Sequence, residues 1–305
     1  MKAKIAVLLA GLMSVSLLGS ASNGAAQAKW NITQLDADSY PAEIVAETRG
    51  AAKAGLVDGL IATHNGGDIA SAWYSEPTER YDHAILGDNI EAGQLNVKTS
   101  KNRVYKFVLP KSEVFEDQTP RLADLDGDGS VEVITIRSSV VRGGSVTIYG
   151  LFGTALIEKA TTGFFGKRNR WLNVAGIAPF LGSEFIEFAY VETPHIGGTL
   201  YFYRYKDGQL QRISAATNFS NHAIGSREMR LSAVADVDSN GTTDIALPSA
   251  DRKSLRVMGF KRNKLKDLAS ADLPAKIDKA IAVQNEGDKG FVVGLEDGSV
   301  YLVHP

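Results

Sequence analysis

Residues 124–132 read D-L-D-G-D-G-S-V-E, and residues 236–244 read D-V-D-S-N-G-T-T-D. Each stretch follows an apolar pair, Leu122-Ala123 or Val234-Ala235, and leads into a strand-like run, Val133–Ile136 or Ile245–Leu247. Oxygen-bearing side chains stand at positions 1, 3, 5 and 9, and position 7 offers a backbone carbonyl. A tight loop with that spacing can surround a hard divalent cation, since Ca²⁺ takes oxygen ligands only and takes several of them. The glycine at position 6, Gly129 or Gly241, supplies the positive φ that such a wrap needs. An EF-hand has the same acidic opening but fails here. Its position-12 glutamate would fall on Thr135 and Leu247, and its flanks should be helical. A third copy at 179–187, P-F-L-G-S-E-F-I-E, has Pro179, Leu181 and Ser183 at ligand positions and keeps only Glu187, so no ion is expected there.

Around these loops the chain reads as short β-branched and aromatic runs separated by Gly, Asp and Asn, the pattern of an all-β protein. One helical stretch is expected near 270–279. A strand start recurs: G-G-D-I-A-S-A from Gly66, N-R-V-Y-K-F-V from Asn102, G-G-S-V-T-I-Y from Gly143, G-G-T-L-Y-F-Y from Gly197, K-S-L-R-V-M from Lys253 and D-G-S-V-Y-L-V from Asp297. Equivalent positions are Asp68, Arg103, Ser145, Thr199, Ser254 and Ser299. A four-stranded propeller blade takes about 40–50 residues. The spacing therefore predicts a β-propeller of six four-stranded blades, or seven. The C-terminal unit runs out of chain at Pro305, so Trp30–Leu35 is expected to pair beside Ser299–Val303 and close the ring.

The two acidic loops, each running into an apolar strand, resemble the FG-GAP or VCBS-type repeat of integrin-α-like β-propellers. The resemblance implies that the loops hold Ca²⁺ structurally. Carried over by position, it makes ligands of Asp124, Asp126, Asp128, Ser130 and Glu132 in the first loop, and of Asp236, Asp238, Asn240, Thr242 and Asp244 in the second; Ser130 and Thr242 contribute carbonyls.

Residues 1–28 combine a positive head (Lys2, Lys4), an apolar run from Ile5 to Leu18 and an A-x-A ending, Ala26-Gln27-Ala28, which together make a secretory signal peptide. The run is shorter than the ~20 residues that cross a bilayer. The domain expected after it spans 29–305, with no second long apolar stretch, placed in the periplasm or secreted. Without the leader, 31 basic residues face 35 acidic ones, a net −4 that offers no nucleic-acid footprint. The chain has no cysteine, which excludes thiol chemistry and disulfide bracing.

If the calcium loops open on one face, the alternate connections open on the other. Those connections hold His64, His83, Arg142, Arg168, Arg170, His195, His222, Arg227 and Arg252, a concentration of donors suited to a ligand. The expected function is a binding or interaction module of the cell envelope, taking a protein, glycan or small anionic ligand on that face. The alternative is a hydrolase or lyase with His195 or His222 as general base, although no G-x-S-x-G, H-E-x-x-H or phosphate loop occurs. A third reading is a purely structural part of an envelope assembly.

Fusing residues 1–28 to a reporter should carry it across the inner membrane. N-terminal sequencing of the exported protein should begin at Lys29, and an intact leader on a membrane-held product would show an anchor instead.

Overall fold

The computed structural model describes residues 28–41, 56, 58–285, 287 and 289–305. The leader up to Gln27 lies outside the described residues. The remainder is β-structure in four sheets of nine, four, five and four strands, none closed on itself. A 3₁₀ turn at Ala37–Ser39 is the one helical element among the described residues.

All six repeated starts open strands: Ile69–Thr78, Val104–Val108, Gly143–Phe152, Thr199–Lys206, Ser254–Lys261 and Val300–His304. The three loop copies likewise sit in hairpins. The first joins Arg121–Ala123 to Glu132–Ser139, the drifted one joins Leu172–Ala178 to Glu187–Glu192, and the last joins Ala233–Ala235 to Asp244–Pro248. Two-residue turns at Asp207–Gly208 and Arg262–Asn263 have positive φ at both positions, the mirror-image turn that matches strand twist.

The propeller of six or seven four-stranded blades is not what forms. Glu113–Phe115 pairs with Ala92 of Glu91–Thr99 on one side and with Arg137–Ser139 on the other, which fuses two expected units into the nine-stranded sheet. The expected helix also fails, because Ser270–Asp272 completes the strand Lys264–Asp272, bonded along Ser254–Lys261. Alternating exposure there outweighs the Ala, Leu and Lys that favour helix.

Successive sheets bury one another's faces. Ile134, Ile136, Val146 and Ile148 of the nine-stranded sheet pack with Leu172, Val174, Phe188 and Tyr190 of the next. Leu200 and Phe202 meet Ile245, Leu247 and Phe260 of the third, and Leu255, Val257 and Ala269 meet Phe291, Val293 and Val303 of the fourth. Strands covered on both faces, such as Asp244–Pro248 and Gly290–Gly294, are buried throughout, so they read as continuous apolar runs rather than alternating ones.

The N-terminal pairing is present. Asn31–Leu35 runs antiparallel to Val300–His304 and completes the fourth sheet. Ala28–Lys29 adds a parallel edge to Lys264–Asp272 of the third sheet. The segment thus staples two neighbouring C-terminal sheets rather than closing a ring, with Trp30 stacked 6.2 Å from Phe291.

Deleting residues 29–36 should lower stability by about 2–3 kcal/mol, somewhat less than truncating a fully buried large aromatic. The measurement is the urea midpoint of the whole domain; an unchanged midpoint would show a loose tail.

Candidate functional site

The loop hairpins lie at one end of the strands. In the first, Asp124 accepts from Gly127 N (2.8 Å) and Gly129 N (2.9 Å), and both glycines have positive φ. In the last, Asp236 accepts from Asn240 N (3.0 Å) and Gly241 N (2.9 Å), so the two loops share the bond from the position-6 glycine to the position-1 aspartate. One oxygen each of Asp124, Asp126 and Asp128 come within 4.8 Å of one another, as do those of Asp236, Asp238 and Asp244. Asp126 Oδ1 and Asp244 Oδ1 are buried without a partner. Burial pushes the Asp244 carboxyl up to about 7, with Asp238 and Asp236 adding to the effect. A pair of orphaned oxygens inside two carboxylate triads fits a hard cation. Calcium, bound there, would brace the hairpin ends.

The position-9 residues differ. Glu132 is engaged on both oxygens, by Lys159 Nζ (2.9 Å) and Leu125 N (3.0 Å), and is not part of its triad. Ser130 N binds Asp128 Oδ1 (2.7 Å), and Thr242 N binds Asn240 Oδ1 (2.8 Å), so Asn240 shapes the turn. In the drifted copy Glu187 pairs with Arg204.

The donor-rich connections lie at the opposite strand ends, with one correction. His64 sits in the hairpin between Ala62–Thr63 and Ile69–Thr78, bonded to Gly66 O (3.1 Å), and belongs to the acidic-loop end. Asp68 Oδ1 accepts from Val131 N (2.8 Å), and a Cβ on Gly67 would come within 2.4 Å of Val131. A two-residue strand, Ala62–Thr63, shifts the register by one connection, too short a signal to read in sequence.

Of the other eight residues, three histidines converge. His222 is fully buried in the segment 218–232, and its Nε2–H donates to Ser226 O (2.9 Å). That fixes the tautomer, leaving Nδ1 to accept from His195 Nε2–H at 3.0 Å. Trp171 lies parallel to His195 (centroids 6.2 Å, 3°) and edge-on to His222 (4.7 Å). Burial lowers His195 to about 4, Arg252 and His83 adding to it, and lowers His222 to about 3. Both rings are neutral at pH 7.

His83 meets Glu116, which the sequence reading did not select. His83 Nδ1 is 2.5 Å from Glu116 Oε1, Ser138 Oγ donates to Glu116 Oε2, and Trp171 Nε1–H donates to Glu116 O (3.0 Å). Trp171 thereby ties the two histidine groups together. Tyr81, also buried, accepts from Asn169 N (3.1 Å), and its ring lies 5.6 Å from His83. A signal existed in E-D at 116–117, within the same connection set, but acids are common in loops.

The arginines divide. Arg227 clasps Asp58 (3.0 Å) and Asp88 (2.5 Å), while Gly225 N bonds Ile85 O (2.9 Å), which holds the 218–232 segment onto the 81–88 turn. Arg252 donates to Ile277 O (2.9 Å). These two hold backbone and loops. Arg142 is mostly exposed, 3.5 Å from Glu113 and 4.4 Å from the Phe164 ring centroid. Gly166 N and Lys167 N both donate to Arg142 O, which brings Arg142 beside Lys167, Arg168 and Arg170 on one lip. Among the described residues the side chains of Arg168 and Arg170 bond only within their own turn, to Asn169.

No family model and no curated protein matches this chain. Solved structures do. The Bacillus licheniformis rhamnogalacturonan lyase PL11 matches with TM-score 0.49 and 13% identity over 80% of this chain and 49% of that one. The exotype rhamnogalacturonan lyase YesX matches with TM-score 0.42 and 12% identity over 78% and 55%, and the rhamnogalacturonan lyase YesW with 0.41 and 13% over 83% and 56%. The chain spans about half the length of these lyases. At these TM-scores the likeness carries no functional argument.

Adding calcium to chelator-treated protein should raise its melting temperature, by about 2.7 kcal/mol of stability per site at 100-fold excess over Kd. Asp244→Asn should remove the contribution of the second loop. Identical melting with and without chelator would show that neither triad takes the ion.

Proposed function

We propose that the chain is an exported proton-transfer enzyme, a hydrolase or lyase, that takes an oxyanion-bearing ligand at the Arg142–Arg170 lip. The observation that carries this reading is the His195–His222–Ser226 chain of fixed hydrogen bonds stacked against Trp171. A neutral imidazole keeps a ring lone pair free to accept a proton. His195 is the half-buried member and serves as general base. His222 is sealed, with both nitrogens engaged, and positions His195. The His83–Glu116 pair supplies the second titratable group, tied to the first through Trp171. Perturbed histidines and buried carboxyls gathered at one loop face are the arrangement acid–base chemistry uses.

Arg168 and Arg170 face outward without a carboxylate partner among the described residues, beside Lys167 and Arg142. In a chain of net charge −2, that lip attracts carboxylate, sulfate or phosphate groups. The leader places the protein outside the cytoplasm, and no described helix is long and apolar enough to cross a membrane. Calcium on the Asp124 and Asp236 triads serves structure at the far strand ends. A binding module of the cell envelope, without turnover, would use the same lip and leave His195 idle.

Turnover of a panel of anionic and neutral polysaccharides separates the two. New reducing ends report chain cleavage by either reaction, and ultraviolet absorbance of an unsaturated product identifies it as elimination. His195→Gln should lower kcat by ~10²–10⁴-fold, Arg168→Ala should raise KM, and His64→Gln should change neither. Retention of an anionic polymer with no turnover by the wild type would make the face a binding module.

A further inference from the structure

Four connections at the donor-rich strand ends, 140–144, 162–171, 193–198 and 218–227, lie side by side. Gly166 N and Lys167 N donate to Arg142 O, and Gly144 N donates to Arg170 O (2.6 Å), which joins the first to the second. Thr193 N donates to Trp171 O (2.9 Å) and joins the second to the third. Phe219 N donates to Gly198 O (3.1 Å), and His195 meets His222, so the third is joined to the fourth. The row ends where Gly225 N reaches Ile85 O on the 81–88 turn.

No Asp or Glu occurs in these four segments, which hold Arg142, Lys167, Arg168, Arg170 and Arg227. Arg227 is taken by Asp58 and Asp88, and the other four are exposed or half-buried at the lip. The same segments present aliphatic side chains to solvent: Val141 is 65% exposed, Ile196 62% and Ile224 72%. Single exposed aliphatics are ordinary, but three on adjoining loops among cations form a patch. Each is held in a fixed turn. Ile196 N donates to Thr193 O (2.9 Å), Ser226 N to Ala223 O (3.0 Å) around Ile224, and Val141 N to Ser139 Oγ (3.4 Å). Little freedom is left to lose on contact.

We propose that this face docks on a bilayer surface bearing anionic lipid, with Val141, Ile196 and Ile224 entering the headgroup layer and Arg142, Lys167, Arg168 and Arg170 on the lipid phosphates. Charge complementarity selects the occupant. Clustered cations are drawn to an anionic leaflet, and aliphatic side chains between them gain by leaving water. A soluble anionic polymer would engage the cations and leave the aliphatics wet. A protein partner calls for aromatic anchors seated in pockets at a central patch, whereas these aliphatics stand on separate loops. Both carboxylate triads lie at the opposite strand ends, so charge is divided along the strands and turns this face toward a negative surface. The docking goes beyond the proton-transfer reading, sharing its lip and none of its chemistry.

Vesicle flotation of the protein without its leader, at low salt and fixed free calcium, is the test. Vesicles of equal parts phosphatidylcholine and phosphatidylglycerol should carry the protein, and phosphatidylcholine alone should leave it behind. Partition should fall ~5-fold for each cation lost in Arg168→Ala or Arg170→Ala, and ~10-fold or more in the double variant Ile196→Ser, Ile224→Ser. Phe152, 75% exposed at the acidic-loop end of Gly143–Phe152, is the control, and Phe152→Ser should float like wild type. Because the chain has no cysteine, Ile224→Cys and Phe152→Cys each take one environment-sensitive dye. Vesicles should blue-shift the first and leave the second unchanged. No flotation with either vesicle, flotation undiminished in the double serine variant, or equal dye shifts at both ends would overturn the proposal. His195→Gln should float like wild type, so loss of turnover and loss of docking are separate results.

Discussion

At the base of three hairpins an acid near the start of the outgoing strand reaches back to a backbone N–H of its own loop. Glu132 takes Leu125 N, Glu187 takes Leu181 N and Asp244 takes Val237 N. The sheets bury the first of these bonds fully and the other two in part, and a buried N–H without a partner costs about 1–3 kcal/mol. The acid answers that need whether or not an ion follows. It explains why the drifted copy keeps Glu187 after losing its other acids, and why its loop still turns in the same place. The rest of the fold inherits regular hairpins from this bond, and with them the sorting of connections to two ends.

Burying those acids brings a second requirement, a counter-charge. Lys159 serves Glu132, Arg204 serves Glu187, and Arg137 joins Glu113 and Glu158 along the sheet. Paired in this way, the charges are structural, and breaking one partner would strand the other. Asp244 and Glu91 lack such a partner among the described residues, at opposite ends of the strands. The first stands in a triad suited to a cation, and burial raises the carboxyl of the second. A shortage of counter-charge, rather than an abundance of acid, is what distinguishes both places from the acids around them.

The opposite strand ends show how the same residue types divide between scaffold and ligand. Arg227 and Arg252 are spent on loop-to-loop contacts, so counting arginines by connection overstates the ligand-facing set. The contacts Arg227 makes hold the 218–232 segment on the 81–88 turn, which brings His222 and His195 to the Trp171 ring whose indole N–H holds the Glu116 carbonyl. The residues left outward, Arg142, Arg168 and Arg170, occupy a lip beside that centre. Scaffold arginines and ligand arginines differ only in what lies within reach, which is a property of the folded chain.

What the sequence by itself determined is local. All six repeated strand starts and the three nine-residue hairpin loops were legible, because turn chemistry and side-chain alternation act over a few residues; the pairing of Trp30–Leu35 with the last strand was expected from ring closure and forms without a ring. The union of two units through Glu113–Phe115 was not, since a three-residue strand has no periodicity to read and its partners decide its place. Nor was the shift of His64 to the other end, set by a strand of two residues. The site belongs to the tertiary structure for the same reason. His195 and His222 are 27 residues apart, His83 and Glu116 33, Tyr81 and Asn169 88, and Arg227 and Asp58 169. Burial, which lowers the histidines and raises Glu91, exists only once the sheets have packed, so the residue types were visible in the sequence and their protonation was not.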